Sequence, residues 1–384
     1  MNALESTLLQ LLRGPIPRDA LHLDNERAME QVLVSARDAG LCGLLLESLK
    51  RSEFAAPRGF LARLADESKR VAGVNRLAVS RLGRIAAAFA DRGIDLLVLK
   101  GAALLATAYD DLGHRPMCDI DLLIRPGDVR RADRLLEELG FRRGANHVRR
   151  DFFPKYYYEA EYLSRGPHPL RLDVHVRPWR PLRYSRIVPE DALWDTPRTV
   201  TIDDATFQTP HDVNMLIHLL GHFAFHGAGR PLWTVDIYRF ITRRRADLDW
   251  DEFTTRLRRW QLLHAARLAI HRTEERFGRL IPRPVRDALN AAPGSWRDKL
   301  VLWQAPRDTR SPMLQVLVNA VCTDGLTFRL GYLRAVLVPD RTHLAETYSR
   351  RHPGWVLCAH LRRALRCLAG RPTANAPGAP PLGG

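Results

Sequence analysis

The segment Cys118-Asp119-Ile120-Asp121-Leu122-Leu123-Ile124, stopped by Arg125-Pro126-Gly127, decides how this chain is read. Its short apolar run with a turn signal behind it suits a buried strand. Alternation along a strand sends Ile120, Leu122 and Ile124 to one face and Asp119 with Asp121 to the other. Two carboxylates held side by side raise each other's pKa unless a cation sits between them. A hard divalent ion with oxygen ligands, most naturally Mg²⁺, resolves that conflict. Solvated acids at the end of an edge strand carry the same short pattern, so the flanking sequence has to decide.

Upstream, Ile94-Asp95-Leu96-Leu97-Val98-Leu99 reads as a second buried strand, and it runs into Lys100-Gly101-Ala102. A helix from Ala102 to Ala108 is expected next. Gly101 allows close backbone approach, and the helix N-terminus offers unpaired N–H groups to an anion. Lys100 is one of five lysines among 59 basic residues, and a compact ammonium there suits a phosphate oxygen. Neither a P-loop sequence nor a dinucleotide-binding glycine motif is present. Downstream, Leu170-Arg171-Leu172-Asp173-Val174-His175-Val176 alternates cleanly, with Arg171, Asp173 and His175 on one face. If this strand neighbours the first, Asp173 becomes a third carboxylate. Three acids on adjacent strands are the requirement of two-metal nucleotidyl transfer.

Leu99-Lys100-Gly101-Ala102, Arg115, Asp119-Ile120-Asp121-Leu122-Leu123-Ile124 and Leu172-Asp173-Val174-His175 together resemble the uncharacterised nucleotidyltransferase family of bacteria, within the DNA polymerase beta-like superfamily. The resemblance continues more loosely through Leu232-Trp233-Thr234-Val235-Asp236-Ile237. It implies an α+β fold, a short mixed sheet with flanking helices. It further implies that Gly101 is the turn glycine, Asp119 and Asp121 the paired metal-binding acids, and Asp173 the third acid. Lys100, Ala102 and Arg115 fall near the triphosphate by the same likeness. The implied reaction moves a nucleoside monophosphate from a nucleoside triphosphate to a hydroxyl of an unknown acceptor, releasing pyrophosphate. Relatives usually carry Gly-Ser or Gly-Gly at the turn. Gly101-Ala102 lacks that hydroxyl, which leaves a degenerate nucleotide-binding or regulatory module as the alternative.

The rest of the chain reads as helical on both sides of this core. Residues 1–90 form an expected N-terminal helical region, 91–200 the nucleotidyltransferase core, and 201–369 a C-terminal helical region. The Pro-, Gly- and Ala-rich residues 370–384 form an expected disordered tail. Within the core, Asp128 is expected to cap a helix, and aromatic residues 152–163 are expected to form a strand. After Pro210, Asp212 is expected to cap a helix carrying His218, His222 and His226 along one stripe. No H-E-x-x-H or nearby acid completes a metal set there. An interface role with the rings bonded to backbone is the plainest expectation, proximity of His218 or His222 to substrate a milder functional one, and metal ligation the sharp one.

Composition narrows the remaining classes. Five scattered cysteines without CxxC spacing argue against a disulfide framework or zinc ribbon. No apolar run approaches the ~18–20 residues of a membrane span, and the N-terminus lacks a signal-peptide pattern. A cytoplasmic location is the expectation. The formal charge of +16 suits polyanionic partners. The basic residues are nonetheless spread along the chain and dominated by arginine, as in a GC-rich genome. A nucleic-acid partner is therefore not favoured.

Overall fold

In a computed structural model of the chain, residues 7–9, 11–13, 23, 25–52, 54–144, 152–291, 294–305 and 312–338 are described. The expected tail, 370–384, lies outside them. The architecture is α+β, a five-stranded mixed sheet between helical regions.

Three helices precede the sheet: α1 (Glu26–Asp38), α2 (Cys42–Arg51) and α3 (Arg58–Asp91). At 34 residues α3 is ~50 Å long. Phe60, Leu64, Val71, Ala78, Val79, Leu82, Ile85 and Phe89 form its buried stripe. It stops where Gly93 takes φ +58°, a conformation glycine adopts without strain. Then follow β1 (Leu96–Leu99), α4 (Lys100–Thr107), β2 (Ile120–Ile124), α5 (Val129–Glu138) and β3 (Phe141–Arg143). The core is completed by α6 (Phe152–Tyr156), β4 (Glu159–Ser164), β5 (Arg171–His175) and the short α7 (Tyr184–Ile187).

The strand order is β1-β2-β5-β4-β3. The pairs β1–β2, β5–β4 and β4–β3 are antiparallel, and β2–β5 is parallel. Residues Leu96, Val98, Ile120, Leu122, Ile124, Ala160, Tyr162, Leu172 and Val174 share one face and enter the main core. The β1–β2 part of the opposite face is covered as well. There Leu97, Leu99 and Leu123 pack with Leu193 and Trp194 into a small second cluster.

After the sheet in chain order, β6 (Arg198–Ile202) and β7 (Ala205–Thr209) make a separate hairpin. Helices α8 (Asp212–Phe225), α9 (Pro231–Arg244), α10 (Trp250–Arg259) and α11 (Leu263–Phe277) come next. The described chain finishes with α12 (Arg283–Ala291), α13 (Trp296–Gln304), α14 (Pro312–Cys322) and α15 (Leu326–Leu337). Among the described residues no helix is long and apolar enough to cross a membrane.

Three local expectations are corrected. The aromatic segment 152–163 is not one strand: Phe152–Tyr156 is helical, and the strand begins at Glu159. Pro154 sits within that single helical turn, where a missing N–H costs nothing. Asp128 makes no side-chain cap for α5 and instead pairs with Arg131, one turn on, at 2.7 Å. Asp212 is also not a cap. It is buried at the first position of α8, where Arg198 and Arg244 neutralise it.

Candidate active site

Strand register assembles the acidic face. In one row across the sheet Leu99 stands opposite Asp121, Asp121 opposite Asp173, and Asp173 opposite Glu161. In the next row Leu97, Leu123, His175 and Glu159 are aligned in the same way. Asp119 lies one residue before β2, two positions from Asp121. Five carboxylates (Asp119, Asp121, Glu159, Glu161 and Asp173) thus share one face.

Lys100, His175 and Arg171 answer them. The Lys100 ammonium lies 2.5 Å from Asp121 Oδ1, and His175 Nε2 lies 3.0 Å from the same oxygen. His175 Nε2 is also 3.5 Å from Glu159 Oε2. Arg171 fans out over three acids, at 3.2 Å from Asp119 Oδ2, 3.6 Å from Asp173 Oδ1 and 3.8 Å from Glu161 Oε2.

The titration of the acids follows this layout. Burial works to raise Asp121, but the Lys100 charge and the His175 hydrogen bond outweigh it and hold Asp121 well below the usual carboxylate range. Asp119 is pushed up by burial and then by Asp121. Asp173 is pushed up to about 8, by burial first and then by Glu159, Asp119 and Asp121. Arg171 offsets this only in part. The face therefore sets five carboxylates against Lys100 and Arg171, and Asp173 keeps its proton to a higher pH than an ordinary carboxyl.

The β1–α4 junction is strained at one residue. Lys100 has φ +47°, a left-handed conformation that a long side chain adopts only when its surroundings impose it. Helix α4 has no side-chain N-cap, so its first N–H groups lack intrahelical partners. Gly101 is needed for space. A Cβ there would stand 2.9 Å from Arg115 Nη1 and 3.2 Å from Met117 Sδ. Ala102 is fully buried beneath the turn.

A family profile described as an uncharacterised nucleotidyltransferase matches residues 25–278 of the chain. The chain belongs to this nucleotidyltransferase family. The matched span holds the whole five-stranded sheet, Lys100, Gly101, all five carboxylates, and the helices through α11. It makes the protein an enzyme of the nucleotidyltransferase class. No curated protein matches the chain.

Within the nucleotidyltransferase core, Lys100, Asp119, Asp121 and Asp173 gather on one face, whereas Arg115 is committed elsewhere. Its guanidinium is buried and grips Asp236 of α9 with two bonds of 2.8 Å. Tyr109 donates to Asp236 Oδ1 at 2.6 Å. Arg115 thus buttresses the back of the Gly101 turn. Asn75 of α3 fixes the same connection. Its amide donates to the carbonyls of Leu112 and Arg115, each at 2.7 Å, and its oxygen accepts from Met117 N–H at 3.3 Å. Asn75 did not stand out in the sequence, and Asp236 stood only within the looser stretch of resemblance with no sign that Arg115 is its partner, since each acts through residues distant along the chain. Glu159 and Glu161 lie in the strand that the aromatic reading blurred.

His218, His222 and His226 follow one side of α8, with ring centroids 6.4 and 4.4 Å apart. Trp179 stacks on His218 at 6.0 Å, and Trp233 meets His222 at 4.6 Å. His218 is fully buried, and among the described residues neither ring nitrogen has a hydrogen-bond partner. The expected backbone bonding is absent there. Burial, followed by the positive charge of Lys100, pushes His218 far below the ordinary histidine range. Burial and then Lys100 do the same to His222 and take His226 down to about 3. The row is neutral, and it is close enough to Lys100 to feel its charge.

Proposed function

We propose that this nucleotidyltransferase moves a nucleoside monophosphate from a Mg²⁺-bound nucleoside triphosphate to an acceptor hydroxyl and releases pyrophosphate. The observation that carries this reading is the register of Asp121 opposite Asp173 on adjacent parallel strands, with Asp119 two positions away.

The donor set fits a hard cation in its chemistry. Asp119, Asp121 and Asp173 supply only oxygen, and Asp121 and Asp173 stand opposite each other on adjacent strands. A three-ligand cage is not preassembled. Among the described residues no group of three His, Cys, Asp or Glu side chains is arranged to hold a metal. Lys100 and Arg171 lie against the acids instead. Asp119 and Asp121 would hold the ion that carries the triphosphate, and Asp173 would help to hold a second. When bound, Mg²⁺ offsets the phosphate charge and makes the α-phosphorus more open to attack.

The chain's own groups account for the rest. The acceptor oxygen forms a bond to the α-phosphorus while its proton passes to Asp173 as general base. The bond from that phosphorus to the bridging oxygen breaks, and pyrophosphate leaves with the electron pair. Lys100 supplies a compact charge for the phosphates at the start of α4. Arg115 and Asp236 keep the Gly101 turn in place.

The competing reading is a nucleotide-binding module without turnover. The Lys100–Asp121 contact and the missing hydroxyl at Ala102 favour it. Incubation with each nucleoside triphosphate labelled at the α-phosphate, together with cell lysate, separates the two. Label transferred by wild type but not by Asp119→Ala/Asp121→Ala supports the enzyme. Tight nucleotide binding with no transfer across all acceptors supports the silent module.

A further inference from the structure

At the far end of α4 from Lys100, ~12 Å along the helix, the surface opens into a cavity of about 500 Å³. This volume falls within the range of small-molecule sites, roughly 300–1,000 Å³. Four guanidinium groups line it: Arg13, Arg51, Arg239 and Arg243. The hydroxyls of Ser48 and Thr242 lie among them.

Two carboxylates reach these arginines. Asp110 pairs with Arg239 and Arg243, and Glu47 pairs with Arg51 at 2.6 Å and with Arg239 at 3.5 Å. Among the described residues, four cations against two anions leave a surplus of positive charge. Arg239 is already set in place. Its Nε donates to the Ala108 carbonyl at 3.3 Å, and its guanidinium lies over the Tyr109 ring at 5.0 Å. A ligand therefore pays little ordering entropy to engage it. Planar guanidinium forks match phosphate oxygens in pairs, which a lysine cluster does not do.

We propose that this cavity is a second ligand site, for a small anion bearing two or more phosphate groups. It is distinct from the acidic face, which is at the other end of α4 and has the opposite charge. It does not rest on the proposed reaction, and it stands or falls by binding alone.

The test is calorimetric titration of the full chain with tripolyphosphate in EDTA. Without divalent ions the acidic face repels such an anion, so the heat reports the cavity. Arg51→Ser/Arg243→Ser removes two largely exposed cations and abolishes the surplus. Affinity should fall at least about tenfold. Arg130→Ser/Arg134→Ser removes the same net charge from the exposed side of α5 and should leave affinity unchanged. A parallel titration with ATP identifies the source. ATP binding with the same variant dependence means a nucleoside triphosphate, whereas tripolyphosphate binding alone means an inorganic polyphosphate. An equal loss in both arginine variants, or no binding by wild type, overturns the proposal.

Discussion

Lys100 and Asp121 form a buried ion pair across the β1–β2 edge of the acidic face, with Lys100 Nζ 2.5 Å from Asp121 Oδ1. The pair joins the strained start of α4 to the carboxylate that the rest of the site depends on. Without substrate, Lys100 keeps Asp121 ionised in a place where burial alone would neutralise it. Lys100→Met should lower turnover on the order of 10²-fold, the usual loss for one electrostatic group aimed at developing charge. Lys100→Arg should rescue little, because a planar fork does not replace a point charge in a closed space. Steady-state rates of the three proteins check this. Full activity of Lys100→Met would remove Lys100 from the site.

The Arg115–Asp236 pair has a different consequence. Both groups are buried, so removing one leaves the other charged and unpaired. Asp236→Asn should therefore destabilise the fold by about 3–5 kcal/mol. The double variant Arg115→Met/Asp236→Asn should lose less than the sum of the two single changes. Denaturant melts of the four proteins measure that coupling, and simple additivity would show the pair to be energetically idle.

Asn75 makes three hydrogen bonds to the connection between α4 and β2. Asn75→Ala leaves the Leu112 and Arg115 carbonyls short of a donor and should cost about 2 kcal/mol. Hydrogen exchange should show the loosening in residues 112–117 before it appears in β4 or β5. A uniform change across the sheet would contradict a local role.

The sequence made the sheet's inner logic readable and its long-range supports unreadable. Period-two alternation in Asp119–Ile124 and Leu170–Val176 is enough to sort faces, because strand geometry leaves no other arrangement. What it left conditional was adjacency, and β2 and β5 are indeed neighbours, with Asp121 opposite Asp173. The partner of Arg115 lies 121 residues away and has no local signature. The β6–β7 hairpin did carry a signal, alternating residues on each side of Asp203-Asp204, and Asp203 turns with φ +46°. In Phe152–Tyr156, aromatic content suggested a strand, but tertiary packing of Phe152 and Tyr156 against Tyr332 selects a helix.

The pKa directions give a pH dependence in metal-free protein. Asp173 titrates near 8 when folded and near ~3.9 when unfolded. The folded state therefore binds the extra proton between those values, and stability falls as pH rises through that window. His218, His222 and His226 act oppositely. Their folded pKa values are depressed, so they cost stability as pH falls below ~6.5. Above ~6.5 only the Asp173 effect remains of these. The melting temperature in EDTA should fall between about pH 6.5 and 8, and Asp173→Asn should flatten that slope. A slope that survives Asp173→Asn would contradict the charge layout.

The most direct test of the acidic face is calorimetric binding of a non-hydrolysable nucleoside triphosphate analogue, with Mg²⁺ and with EDTA, to wild type and to Asp121→Asn/Asp173→Asn. The component attributable to that face should appear in wild type with Mg²⁺ and vanish both in EDTA and in the double variant. Binding that is equally strong in all four conditions would mean that Asp121 and Asp173 do not form a metal–nucleotide site.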